Sequence, residues 1–229
     1  MRYSYKSVKE SFHNQEPWLN VLLLKYITMP MVYFIINYTK ITPNFISIIS
    51  LIFGVLSAYL YFTGEIFLAA ISYFISYIFD ALDGKVARLT KKGKVYGAWL
   101  DIFIDRINLV LISTAISYNF YSNTEDIRLL FLNSIFLGLV FIGSESRHHI
   151  NLFKSKESIK EKEPTSNFKI WCKQRGLIYE PISLVEIIIF YLIVAPLLNI
   201  ELYSCVIIIF FLGLRIIKQQ LFWINASKS

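Results

Sequence analysis

The chain has 229 residues, 55% hydrophobic and 17% charged, with a formal net charge of +7 and a mean hydropathy of +0.53. A soluble domain carries about a quarter charged residues, so these values exclude an ordinary soluble enzyme and predict a polytopic helical membrane protein. The strand alternation of a membrane β-barrel is not seen, and the excess of basic residues gathers in loops, which argues against nucleic acid as a partner.

The N-terminal MRYSYKSVKESFHNQEPW is polar and predicts no cleavable signal, and His13 within it reads as an exposed polar residue. Apolar runs follow at roughly 19–38, 44–62, 66–80, 97–118, 127–146, 182–198 and 201–222. Such lengths suit about 30 Å of hydrocarbon. The loop 81–96 carries Lys85, Arg88, Lys91, Lys92 and Lys94, and the loop 154–181 carries Lys154, Lys156, Lys160, Lys162, Lys169, Lys173 and Arg175. The remaining turns are short and mostly acidic, at Glu65, at Glu125 with Asp126, and at Glu201. The bias in Lys and Arg predicts that the two basic loops face the cytoplasm.

Six spans from 44 to 222 then leave both ends in the cytoplasm. The first run is interrupted by Lys25 and Pro30, so 17–39 is expected to form an interfacial amphipathic helix rather than a seventh span. The expected organisation is all-α, with an N-terminal segment and interfacial helix at 1–41, a six-span bundle at 42–222 and a tail at 223–229. Trp18, Trp171 and Trp223 lie near run ends, as an interfacial belt would have them. The basic stretch Lys154 to Lys173 suits a solvated loop touching anionic headgroups. Cys172 and Cys205 are isolated and expected as free thiols.

The informative stretch is DALDGKVARLTKKGKVYGAWLDIFIDR, residues 80 to 106. Asp80 and Asp83 share one helical face, continued by Gly84, Ala87 and Arg88. Gly97, Asp101 and Asp105 recur every four residues and form a second stripe. The short loop between makes the two helices antiparallel neighbours, so the stripes are expected to meet. Four carboxylates in one pocket repel, and divalent cations relieve that repulsion. Oxygen donors alone suit Mg²⁺ or Mn²⁺ rather than Zn²⁺. Gly84 and Gly97 leave room for a ligand, Arg88 supplies a donor fork for phosphate, and a metal pair would polarise a diphosphate while a spare carboxylate serves as base.

The pattern D80-x2-D83-G84-x2-A87-R88-x8-G97-x3-D101-x3-D105 resembles the full signature of the CDP-alcohol phosphotransferases, and Thr42-Pro43-Asn44 at the start of the first span is similar too. The resemblance implies transfer of a substituted phosphate from a CDP-linked donor to a hydroxyl, with release of CMP, at two metal ions on the cytoplasmic membrane surface. It implies that Asp80, Asp83, Asp101 and Asp105 hold the metals and that Asp105 takes the acceptor's proton. Asn44, Asp80, Gly84, Ala87, Arg88 and Gly97 would line the CDP site. It also implies a homodimer, expected in a bacterial or archaeal cell membrane.

For the acceptor, Arg147 and His148 lie near the cytoplasmic end of the fourth span and Glu186 about a turn into the fifth. Ionisable groups at such depth are functional candidates, although an Arg147–Glu186 structural pair is the competing reading. Arg215 and Lys218 add positive charge nearby, whereas Glu145 and Glu186 would repel a phosphate. The expected reaction is phosphatidyl transfer from CDP-diacylglycerol to a polar alcohol or alcohol phosphate. The alternative is a CDP-linked head group, such as CDP-choline or CDP-ethanolamine, transferred to a lipid alcohol. An intramembrane prenyltransferase needs two well-separated aspartate motifs, and a transporter needs acids near mid-membrane in broken helices; both fit less well.

Overall fold

The computed structural model describes residues 3–10, 12, 15–91, 95–156, 166–179 and 183–226. His13, Lys92, Lys94, Lys160, Lys162 and residues 227–229 of the expected tail lie outside them. The described chain is helical throughout: α1 (Tyr5–Glu10), α2 (Asn20–Tyr38), α3 (Pro43–Phe62), α4 (Ile66–Thr90), α5 (Val95–Thr124), α6 (Arg128–Lys156), α7 (Asn167–Arg175), α8 (Leu184–Leu197) and α9 (Glu201–Ala226). The sole strand-like pairing among the described residues is a parallel bridge between Glu16 and Leu177.

Helices α3, α4, α5, α6, α8 and α9 form the bundle, and the protein is an integral membrane protein of all-α architecture. Among the described residues, five helices are long and apolar enough to cross a membrane: α2, α3, α4, α6 and α9. Two of the six expected spans depart from that standard. Helix α5 carries Asp101, Asp105 and Arg106 in its first half, and the described part of α8 is a shorter apolar helix. Inside α8, Pro196 has no amide hydrogen and crowds the carbonyl four residues earlier. A π-helical turn at Phe190–Val194 stands just before it and absorbs that conflict.

Sharp turns join the helices at one end of the bundle. Gly64 (φ 88°), Glu125 (φ 57°) and Asn199 (φ 55°) occupy the left-handed region in the α3–α4, α5–α6 and α8–α9 connections. Arg128 donates to both carboxylate oxygens of Asp126 beside the second of these, holding that carboxyl below its usual range. At the other end, Thr42 caps α3 and Pro43 occupies its first turn, where a missing amide hydrogen costs nothing. Lys91 (φ 53°) closes α4 there.

The core draws on all six bundle helices. Tyr61, Tyr73, Ile112, Phe136, Tyr191 and Leu212 are among its members. Helices α3 and α4 are also laced by hydroxyls. Ser50 Oγ donates to the Ser76 carbonyl at 2.9 Å and Ser76 Oγ to that of Ser50 at 2.8 Å. Ser57 and Ser72 donate to the Ala69 and Phe53 carbonyls, each at 2.8 Å. Small hydroxyl residues let helix backbones approach closely in lipid. Gly54 extends the seam to α5, for a Cβ there would stand 2.1 Å from Asn108 Oδ1.

Helix α2 runs through Pro30 without a break and lies over the aspartate-bearing end. Near its start, Leu19 N donates to Glu186 Oε1 at 3.2 Å, and the Tyr77 hydroxyl donates to Asn20 Oδ1. At its far end, residues 39–42 lead directly into Pro43. Along its length, Val32 and Ile35 pack with Ile46 of α3 and Leu82 and Val86 of α4.

Candidate active site

The four signature aspartates meet at the junction of α4 and α5, as their spacing predicts. One carboxylate oxygen from each of Asp80, Asp83 and Asp101 lies within 4.8 Å of the others. Asp105 joins them through Asp80, whose carboxyl comes within hydrogen-bonding reach of both Asp101 and Asp105. Asp83 is buried, whereas Asp105 is exposed to the interior space it faces. Carboxylates this close and this sheltered repel unless a cation or proton joins them. Hard oxygen donors without His or Cys fit Mg²⁺ or Mn²⁺. Two such ions would lower the charge of a diphosphate and polarise its phosphorus.

The cluster forms a partition between two cavities. The first, about 370 Å³, is lined by Asp83 and Asp101 together with Asn44, Gly84, Ala87 and Gly97. Of the six residues expected around CDP, Asn44, Gly84, Ala87 and Gly97 line this cavity and Asp80 lies across the partition. Arg88 stands one helical turn past Gly84, exposed, with Nη1 3.5 Å from where a Gly84 Cβ would be. At Gly97 the space is tighter, since a Cβ would approach Asn44 Oδ1 to 3.1 Å. Glycine there lets α3 and α5 converge on the ligand space.

The second cavity, about 210 Å³, lies across the partition and is lined by Asp80, Asp105, Arg106, Tyr73, Tyr77 and Ser144 with apolar neighbours from α6 and α8. It shares Val140, Ser144, Leu184 and Val185 with a third cavity of about 250 Å³, which holds Arg147 and Arg215 among mostly aliphatic residues. His148 is exposed, lies beside the ring of His149, and lines none of these three cavities. The Glu186 carboxylate is engaged locally. It accepts from the amide and hydroxyl of Ser183, completing a capping box for α8, and also accepts from Leu19 N.

Three contributors to the site escaped the sequence reading. Ser47 donates its hydroxyl to Asp83 Oδ2; its signal was a polar side chain one turn after Asn44. Tyr77, which lines the second cavity, lies three residues before Asp80 on the same face. Arg106 is a charge inside an apolar run, as Glu186 is. Its Nη2 donates to Ser144 Oγ at 2.7 Å, and its guanidinium lies 4.8 Å from the Phe141 ring centre.

These features are a candidate divalent-metal site built on paired aspartate stripes. A family model of CDP-alcohol phosphatidyltransferases matches residues 40–225, and the chain belongs to that family. An archaetidylinositol phosphate synthase of Pyrococcus horikoshii is 38% identical over 68 residues, covering 30% of this chain and 36% of that protein. The fold is similar to that of a Mycobacterium tuberculosis phosphatidylinositol phosphate synthase crystallised with CDP-DAG bound. The TM-score is 0.63 at 19% identity, over 85% of this chain and 92% of the other.

Proposed function

We propose that the protein transfers a phosphatidyl group from CDP-diacylglycerol to a hydroxyl of a small polar alcohol phosphate, releasing CMP, in phospholipid synthesis. The observation that carries this reading is the partition. Asp83 and Asp101 face a cavity walled by the signature glycines, while Asp80 and Asp105 face one that continues to Arg147 and Arg215. Donor and acceptor would thus approach the same carboxylates from opposite sides. Two guanidinium-bearing residues in an aliphatic cavity suit a phosphate dianion, which planar donor forks bind well. The names of the two relatives, both inositol phosphate lipid synthases, point to the same acceptor class and, for one, the same donor.

In this reading Asp80, Asp83, Asp101 and Asp105 hold two Mg²⁺ or Mn²⁺ ions, with Asn44, Gly84, Ala87, Arg88 and Gly97 around the cytidine diphosphate. Asp105 accepts the acceptor's hydroxyl proton. The acceptor oxygen forms a bond to the phosphorus that carries diacylglycerol, and the bond from that phosphorus to the oxygen of CMP breaks, CMP leaving with the electron pair. Arg147 adds positive charge to the acceptor's site, and Glu186 keeps the start of α8 in place beside it. The site faces the cytoplasm, where both substrates are supplied, and two copies of the chain form a dimer.

The test is CMP release by purified protein in lipid vesicles with CDP-diacylglycerol and Mg²⁺, across glycerol phosphate, inositol phosphate, free inositol and serine. An alcohol phosphate is expected to drive release. Asp105→Asn should lower kcat about 10²- to 10⁴-fold while the protein stays folded. Release driven by free alcohols alone would overturn the acceptor class. Release with CDP-choline or CDP-ethanolamine and diacylglycerol, and with nothing else, would reverse the donor.

A further inference from the structure

We propose that Arg106 is a specificity-determining residue, which binds the phosphate of the incoming acceptor where the second and third cavities join. The inference rests on the alcohol phosphate reading above. Arg106 follows Asp105 on α5, and both residues line the second cavity. An anion held by Arg106 would therefore lie next to the carboxylate that receives the acceptor's proton. Among the residues lining that cavity Arg106 alone is basic, against Asp80 and Asp105. A phosphate entering it meets repulsion from both acids, and Arg106 is the group in the wall that offsets it.

The guanidinium is already oriented. Ser144 receives one of its N–H groups at 2.7 Å and Phe141 supports its plane from 4.8 Å. A guanidinium has five N–H donors, so the Ser144 bond fixes the fork while using one of them. Ser144 itself lines both the second and the third cavity, which puts the Arg106–Ser144 pair at their junction. From there a short acceptor, with its phosphate near its hydroxyl, would engage Arg106. A longer one would extend toward Arg147 and Arg215. Arg106 thus sets the hydroxyl-to-phosphate distance that the site accepts.

A purely structural tie between α5 and α6 is the competing role, and kinetics separate the two. The full chain in lipid vesicles is assayed with Mg²⁺ for the KM of glycerol phosphate, of inositol phosphate and of CDP-diacylglycerol. Hydrogen bonds to a charged group are worth about 1.5–3 kcal/mol, so Arg106→Lys should raise the KM for glycerol phosphate about 10- to 100-fold. The KM for inositol phosphate should rise less and that for CDP-diacylglycerol least. Inorganic phosphate should compete with the acceptor in the wild type, and its inhibition should weaken in Arg106→Lys. Ser144→Ala, a milder change, should raise the same acceptor KM severalfold and keeps the test open if Arg106→Lys fails to fold. Equal changes in donor and acceptor KM, or a lower kcat at unchanged acceptor KM, would overturn the role of Arg106. If the wild type uses alcohol phosphates and both variants keep their acceptor KM, the acceptor reading stands and the Arg106 inference falls. If the wild type uses unphosphorylated acceptors alone, both fall together.

Discussion

Ser47 illustrates how a residue outside the signature reaches the aspartate cluster. Its hydroxyl donates to Asp83 Oδ2 from a position only 5% exposed. A buried carboxylate that would hold a metal needs its orientation fixed, and groups behind such ligands typically govern 10- to 100-fold in metal affinity or activity. Ser47→Ala should therefore raise the Mg²⁺ concentration for half-maximal CMP release by about that factor, with most activity recovered at saturating metal. An unchanged Mg²⁺ curve would mean that Asp83 is held without Ser47. The aspartates themselves were legible because four acids at helical spacing in an apolar chain admit few explanations. Ser47 was not, since a serine in an apolar run is equally at home in the α3–α4 hydroxyl seam, where Ser50 and Ser57 do purely structural work.

Among the elements, α8 has a start held by two side chains, Ser183 and Glu186, that bond each other's turn. The motif Ser183-Leu184-Val185-Glu186 is a capping box, and the Glu186 carboxylate also receives Leu19 N from the start of α2. The S-x-x-E spacing is a capping signature, but an acid at that depth in an apolar run equally suits a substrate contact. Removing a cap costs about 0.5–2 kcal/mol, and in a chain of this size each kcal/mol is worth about 2–4 °C. Glu186→Ala is expected to lower the melting temperature by a few degrees, and Glu186→Gln, which keeps an accepting oxygen, to recover much of that loss. The acceptor KM should move little in Glu186→Gln. A large KM change at unaltered melting temperature would instead assign Glu186 to the acceptor. The start of α3 at Thr42-Pro43 was legible because it depends on neighbouring residues, whereas α4, α5 and α6 run on past the apolar stretches 66–80, 97–118 and 127–146. The Arg106–Ser144 bond and the Trp18 Nε1 bond to the Ile178 carbonyl, 160 residues away and 3.1 Å long, depend on which helices dock, and no periodicity encodes that.

For the whole molecule, α2 decides how the bundle stands in the membrane. Its 19 residues give a helix about 28 Å long at 1.5 Å per residue, nearly the thickness of the hydrocarbon core, so length permits crossing. The positions of its ends oppose it. The start is bonded to Tyr77 and Glu186 and the end leads into Pro43 and Asn44, so both lie at the aspartate-bearing level. A helix with both ends at one level lies across the bundle, as an interfacial helix does. Residues before α2 and the basic helix α7 should then share a side, opposite the α5–α6 turn. Single cysteines at Lys6, Lys169 and Thr124, all exposed, test this with a membrane-impermeant maleimide. Cys172 and Cys205 are fully buried and should contribute little background. Thr124→Cys is expected to react in intact cells, and Lys6→Cys and Lys169→Cys only after permeabilisation. Reaction of Lys6→Cys from outside, with Lys169→Cys still protected, would make α2 a seventh span. Reaction of Lys169→Cys from outside, with Thr124→Cys protected, would invert the bundle and move the aspartates to the far face.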